Sequence, residues 1–191
     1  MNNFLLIHSG DMNSYMSALK EVSPKVSFIV GDVFYGAEAK RRYMCYQFYK
    51  DYPLDTFKSP IYLFGKSNKR MDMYDNLIFK THGYFGLGKL PLVSLLINTG
   101  CSDEQISGYS TDHNKANIIF LHNRKEEIVF TDSIYQLIYN KNPKLVVFYG
   151  NKKFKHFKFP ISDTECLAIG RNNTILYDIE EGSLFSLIGN T

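Results

Sequence analysis

Four groups of residues in this sequence are of types that could do chemistry. The first is Gly83-Tyr84-Phe85-Gly86-Leu87-Gly88-Lys89, whose glycine-to-lysine spacing matches a phosphate-cradling loop. Such a loop needs a following Ser or Thr to hold magnesium, then a helix whose N-terminus faces the anion. Leu90 and Pro91 follow here, and a strand-like run comes next, so the segment reads as a Gly-rich turn. The second group is a thiol and an imidazole, Cys101 and His82, each at the end of a strand-like run. A thiolate nucleophile works with a base beside it, so the pair is a candidate catalytic dyad. The third group is a set of carboxylates in Asp103-Glu104, Asp112-His113, Asp132, Asp163 with Glu165, and Asp178 with Glu180-Glu181. Paired carboxylates can exchange protons with a substrate. Nearly all of these stand where strands turn, a place that favours Asp for local hydrogen bonding, and they read as solvated turn residues. The fourth group, His8, His113, His122 and His156, shares no metal-ligand spacing, nor does any pair among Cys45, Cys101 and Cys166. No metal and no cofactor is expected.

The elements that must position these residues follow from apolar runs and breakers. Strands are expected over 3–8, 25–32, 59–64, 92–98, 105–111, 117–123, 127–131, 144–149, 155–159, 164–171 and 174–178. Helices are expected over 13–22, 37–51 and 132–139, the middle one rich in Ala, Glu, Lys, Arg, Met and Gln. Residues 66–75 read as turn, 75–80 are ambiguous between strand and helix, 83–88 break regular structure, and 100–104 read as turn. Asn172-Asn173 between two strands has the look of a tight hairpin turn. No internal repeat, low-complexity tract or linker is visible.

With 191 residues, 45% hydrophobic and 15% aromatic, the chain can bury a sizeable core and is expected to form one domain over 1–191. The net charge of +3 comes from 22 basic residues scattered among 19 acidic ones. The densest basic cluster, 152–158, falls short of the concentrated stripe that nucleic-acid binding requires, so no specific nucleic-acid partner is expected. Three widely spaced cysteines argue against a disulfide framework. No apolar run is long enough to span a bilayer, and Met1-Asn2-Asn3 does not open like a signal peptide. A cytoplasmic protein, not a membrane protein, is expected.

Two resemblances bear on function. Residues 76–83, ending on His82-Gly83, and 95–101, ending on Cys101, resemble the two strands that carry the catalytic pair of caspase-like cysteine peptidases. That resemblance implies neighbouring parallel strands, yet only a glycine-rich loop with a proline separates them, where a parallel pair needs a longer crossover. The stretch 92–138, with Thr111-Asp112-His113 and later Thr131-Asp132-Ser133 before Ile134, Leu137 and Ile138, resembles the N-terminal glutaminase domain of asparagine synthetases, a class II glutamine amidotransferase. Residues 163–177 are similar to that family's closing hairpin, and Phe4 to Ile7 to its first strand.

The second resemblance implies an α+β fold, an Ntn-like sandwich of two antiparallel β-sheets flanked by helices. It also implies which chemistry is missing. The nucleophile position holds Asn2, the oxyanion-hole Asn is matched by Phe64, and the Arg of an Arg-Asp pair by Thr111. Gly65 and Asp72 are what remain of a substrate site. No ATP-pyrophosphatase half is present. The expectation is a non-catalytic domain, scaffold or partner subunit for an ATP-dependent amide-forming ligase, of the asparagine-synthetase or peptide-natural-product kind, with that ligase chain or a peptide precursor as partner. A caspase-like peptidase using His82 and Cys101, and a plain protein-interaction module, are the alternatives. The sequence leaves a homodimer open.

Overall fold

A computed structural model describes residues 4–20, 22–31, 38–65, 71–98, 100–123, 127–151 and 153–188. The element order is β1 Phe4–Ser9, α1 Met12–Leu19, β2 Val26–Val30, α2 Glu38–Asp51, β3 Ile61–Phe64, a 3₁₀ turn Met71–Met73, β4 Leu77–Lys80, β5 Gly83–Leu87, β6 Leu90–Ile97, α3 Asp103–Thr111, β7 Ile118–His122, α4 Asp132–Lys141, β8 Leu145–Asn151, β9 Lys155–Lys158, β10 Glu165–Gly170, β11 Asn173–Asp178 and β12 Ser183–Ile188. The chain divides into two compact units, residues 1–81 with 172–190 and residues 82–171. Each holds one six-stranded sheet. No helix among the described residues is long and apolar enough to cross a membrane.

In the first unit the strand order is β12-β11-β1-β2-β3-β4. β1 through β4 pair in parallel, and β11 and β12 complete the sheet antiparallel. The sheets are therefore mixed, not the two antiparallel sheets expected. The cause is visible in the runs FLLIHS, VSFIV and IYLF, buried at every position. Strands covered on both faces read as unbroken apolar runs, and helical crossovers such as α1 and α2 return the chain in the same direction. Leu6, Ile29, Ile61, Leu63, Leu77 and Leu176 form a core with Met12, Tyr15, Cys45, Phe48, Phe57 and Tyr74. Phe48 stacks flat on Phe57 at 5.9 Å.

His8, near the end of β1, is buried. Its Nε2 donates to the Asp11 carbonyl at 3.2 Å, which leaves Nδ1 to accept from the Thr174 hydroxyl at 2.8 Å. This arrangement suits a neutral ring. Burial holds its pKa below the ordinary 6.5, although the Asp11 carbonyl and charge pull the other way. The unfolded chain therefore binds a proton that the folded chain refuses. Stability from this site is complete above pH 6.5 and declines as pH falls from there through the lower folded-state pKa. Urea midpoints at neutral and mildly acidic pH should differ more in the wild type than in His8→Gln. Equal differences would remove His8 as the cause.

In the second unit the order is β5-β6-β7-β8-β10-β9. β6, β7, β8 and β10 run parallel, with β5 and β9 antiparallel at the two edges. Ile119, Leu137, Ile138, Val146, Phe148 and Phe159 are central to its core. Four expectations fail here. Residues 105–111 are not a strand but most of α3, started by a capping box in which Ser102 Oγ accepts from Gln105 N and Gln105 Oε1 from Ser102 N. Residues 83–88 are ordered as β5 and its turn. Residues 127–131 are not a strand, and Thr131 instead caps α4. Asn172-Asn173 joins β10 to β11, which lie in different sheets, so the expected closing hairpin is absent. The last antiparallel pair is β11 with β12, and β12 was not foreseen.

Candidate functional site

The glycine-rich segment is a hairpin. β5 and β6 pair antiparallel around Gly88-Lys89, and Gly88 sits at φ +59°, a value suited to glycine at the first position of a two-residue turn. No helix follows, so no phosphate cradle forms. The parallel strand pair that the caspase-like resemblance implies for His82 and Cys101 is absent: His82 immediately precedes β5, which pairs antiparallel with β6, the strand before Cys101. The two residues do not stand on neighbouring parallel strand ends. Gly65 follows β3 at φ +146° and donates its N–H to the Lys80 carbonyl at 2.8 Å. Asp72 is exposed on the 3₁₀ turn. Asn2 lies outside the described residues. Phe64 is buried against Phe28 and offers no hydrogen-bond donor.

The carboxylates are dispersed. Asp103 and Glu104 occupy the first turn of α3, and Asp178 caps the turn before β12 through the N–H groups of Glu180 and Glu181. Glu165 binds His156 at 2.5 Å and Lys158 at 3.7 Å. Among the described residues no three His, Cys, Asp or Glu side chains gather as a metal-holding group. Asp112 is the most engaged of the set. Its Oδ1 accepts from Tyr84 Oη at 2.9 Å, from Asn114 N at 2.9 Å and from Lys141 Nζ at 2.5 Å. Lys141 also donates to the carbonyls of Asp112 and Asn114, so its three donors are filled. Its side chain is only 4% exposed. Burial would raise the Asp112 pKa, but the bonds from Lys141, Tyr84 and Asn114 outweigh it and hold the carboxyl below 3.8. This is a structural ion pair.

The cysteines differ sharply. Cys45 and Cys166 are buried, and Cys101 is partly exposed. Burial, and then the charge of Glu165, push the Cys166 thiol up to about 12. Only a thiolate reacts quickly with a disulfide reagent. Titration with such a reagent at mildly alkaline pH should therefore release one equivalent from the native protein and three after denaturation. Cys101→Ser should remove the native equivalent.

The parallel strands of the second unit bring together a set that the sequence reading did not assemble. Ligands of open parallel sheets collect where the strand order reverses, which it does not among β6, β7, β8 and β10, and the polar groups here are gathered at the carboxyl ends of those strands. There β6 hands over to Asn98, β7 ends on His122 with Asn123 next, and β8 ends on Tyr149-Gly150-Asn151. Asn123 Nδ2 donates to Asn151 Oδ1 at 2.6 Å, and Tyr149 Oη to Asn98 Oδ1 at 3.4 Å. The His122 ring stands edge-on to Tyr149 at 5.0 Å. Gly150 makes this closeness possible. It holds φ +92°, and a Cβ there would lie 2.8 Å from the Asn123 carbonyl oxygen and 3.1 Å from His122 Nε2. Burial, then the proximity of Cys101, raises the Tyr149 pKa well above its ordinary 10, so the hydroxyl stays a donor. The cluster offers amide, imidazole and phenol groups. Such groups read the hydrogen-bonding edges of a neutral or anionic ligand.

No protein-family model matches the sequence, and no curated protein matches it. The fold does have solved counterparts. The crystal structure of TT1561 of Thermus thermophilus aligns over 99% of this chain and 99% of its own, at 10% identity and a TM-score of 0.65. A second crystal structure aligns over 100% of both chains at 11% identity and a TM-score of 0.63. A putative 5′-nucleotidase from Staphylococcus aureus, solved with alpha-ketoglutarate, aligns over 98% of this chain but 53% of its own, at 10% identity and a TM-score of 0.51. At these identities the likeness is one of fold.

Proposed function

We propose that the protein is a binding domain that takes a nucleoside phosphate at the carboxyl ends of β6, β7 and β8 and does not turn it over. The observation that carries this reading is the convergence of Asn98, His122, Asn123, Tyr149 and Asn151 on those strand ends. Amide side chains suit the paired donor and acceptor edges of a nucleobase, and the imidazole suits a phosphate oxygen. The likeness in fold to a putative 5′-nucleotidase makes nucleotides the first ligands to test. A backbone amide NMR titration with nucleoside monophosphates should shift residues 98, 100–101, 122–123 and 149–151, and Asn151→Ala should weaken binding severalfold by releasing Asn123, whose Nδ2 donates to it. Shifts confined to other strands would overturn the site. Phosphate release that disappears in His122→Ala would overturn the non-catalytic part.

A second reading is the scaffold of an amide-forming ligase. The resemblance of residues 92–138 motivates it, while the parallel strands of both sheets weigh against it. Glutamate release from glutamine by the purified chain would contradict its non-catalytic premise.

A further inference from the structure

In the first unit, α1 and α2 flank a groove of about 170 Å³. One face of α2 presents Met44, Gln47, Phe48 and Asp51 to it, the i, i+3, i+4, i+7 stripe of a helix. The start of α1 presents Asp11, Met12 and Asn13. Tyr52 closes one end, donating its hydroxyl to Asn13 Oδ1 at 3.2 Å, and its ring lies 4.7 Å from that of Phe48. Tyr43, 65% exposed, forms an outer wall. The walls are therefore three aromatic rings and two thioethers, and the charged groups are two carboxylates. Among the described residues, none of the basic side chains of α2, Lys40, Arg41, Arg42 or Lys50, lines the groove.

Both carboxylates are held in place by the protein. Asp11 Oδ1 takes the Ser14 N–H at 2.9 Å, and Asp51 takes Gln47 Nε2 through both oxygens, at 2.9 and 3.1 Å. Their fields converge inside the groove. After burial, the charges of Asp51 and Asp11 are what disfavour ionisation of Tyr52. Fixed negative charge behind aromatic and thioether walls suits a particular kind of cation. A bare ammonium is strongly hydrated and loses that hydration against walls of aromatic rings and thioethers, with only the two carboxylates at the edge to replace it. A methylated ammonium donates no such bonds, loses little hydration, and gains from aromatic faces.

The geometry points to this groove as a binding site for a methylated ammonium group, carried by a small molecule or by a modified lysine side chain. The test is a backbone amide NMR titration of the full chain with three probes: choline, its neutral isostere with carbon in place of nitrogen, and unmethylated ethanolammonium. Choline should shift residues 11–13 and 43–52 saturably, in the millimolar range expected of so small a ligand. The neutral isostere and ethanolammonium should each bind about tenfold more weakly or less. Asp51→Asn and Tyr43→Ala, both exposed, should each weaken choline binding severalfold while leaving the rest of the spectrum in place. Equal binding of the isostere would mean an apolar groove without charge preference. Equal binding of ethanolammonium would mean simple ion pairing. Either result, or the absence of saturable shifts in these segments, overturns the assignment. A trimethyllysine peptide against its unmodified counterpart then separates the two sources of the group.

Discussion

Lys141→Met lowers the stability of the protein by about 1–3 kcal/mol, between the worth of an exposed pair and the cost of breaking a buried one, because the Lys141 side chain is buried while that of Asp112 is 29% exposed. Methionine keeps the length of the stem, so the packing change is small and the loss reports on the ammonium. Three acceptors lose their donor at once: Asp112 Oδ1 and the carbonyls of Asp112 and Asn114. Water reaches part of the gap, because Asp112 is 29% exposed, but the space left by the 4% exposed Lys141 side chain is mostly closed to it. Tyr84 and Asn114 continue to donate to Asp112, which keeps the cost within that range. Asp112→Asn in the Lys141→Met background should recover part of the loss, since the orphaned charge is then gone. The pH dependence has a definite sign. The Asp112 carboxyl is held below 3.8 in the folded state, so its contribution is present above that pH and disappears as pH falls through the lower folded-state value. Lys141→Met should flatten that limb of the acid-denaturation curve. Urea midpoints in the single and double variants measure all of this, and a loss under about 1 kcal/mol, the worth of an exposed pair, would show that Lys141 is solvated in solution.

Gly150→Ala is the second large effect, and it couples stability to binding. The residue holds φ +92°, where an L side chain is strained by about 1–3 kcal/mol. The added methyl would also stand 2.8 Å from the Asn123 carbonyl oxygen, a backbone atom that cannot swing aside. That carbonyl must shift with its strand end, and Asn123 carries the bond to Asn151. The combined cost should reach about 3 kcal/mol or more. Where folded protein remains, nucleotide binding at the strand ends should fall at least tenfold. Gly86→Ala is the matched control. It too lies on a strand of this unit, but nothing stands within 4 Å of its added Cβ. It should leave both stability and binding nearly unchanged.

Much of the fold was legible in the sequence, and what was missed has physical causes. β1, β2, β3, β7, β8 and β10 announce themselves as apolar runs ended by Gly or Asn, and α2 and α4 as helix-forming stretches. The direction of pairing was not legible from a resemblance to antiparallel sheets. It was legible in the runs themselves, since FLLIHS and VSFIV do not alternate. Residues 105–111 contain Ser, Gly, Tyr and Thr, weak helix formers, and the decisive signal lay just upstream in the Ser102–Gln105 box. Three glycines disguised β5, whose backbone pairing with β6 needs no side chain. The strand-end cluster was missed because its members come from three separate strands. His122 shares no metal-ligand spacing with the other histidines, so spacing alone does not mark it. Yet Asn98, Asn123 and Asn151 each follow an apolar run, and once those runs are parallel, all three fall on one end of the sheet.

The connectivity of the first unit has a consequence for how the protein is made. β1 pairs with β2 on one side and with β11 on the other. A ribosome delivers β1 through β4 early, then the whole of residues 82–171, and only afterwards β11. Throughout that interval one edge of β1, a run buried at every position in the finished protein, has no partner. Such an edge recruits other chains. The nascent chain is thus vulnerable to aggregation until β11 emerges, and chains ended after residue 171 should be less soluble than chains of residues 1–191.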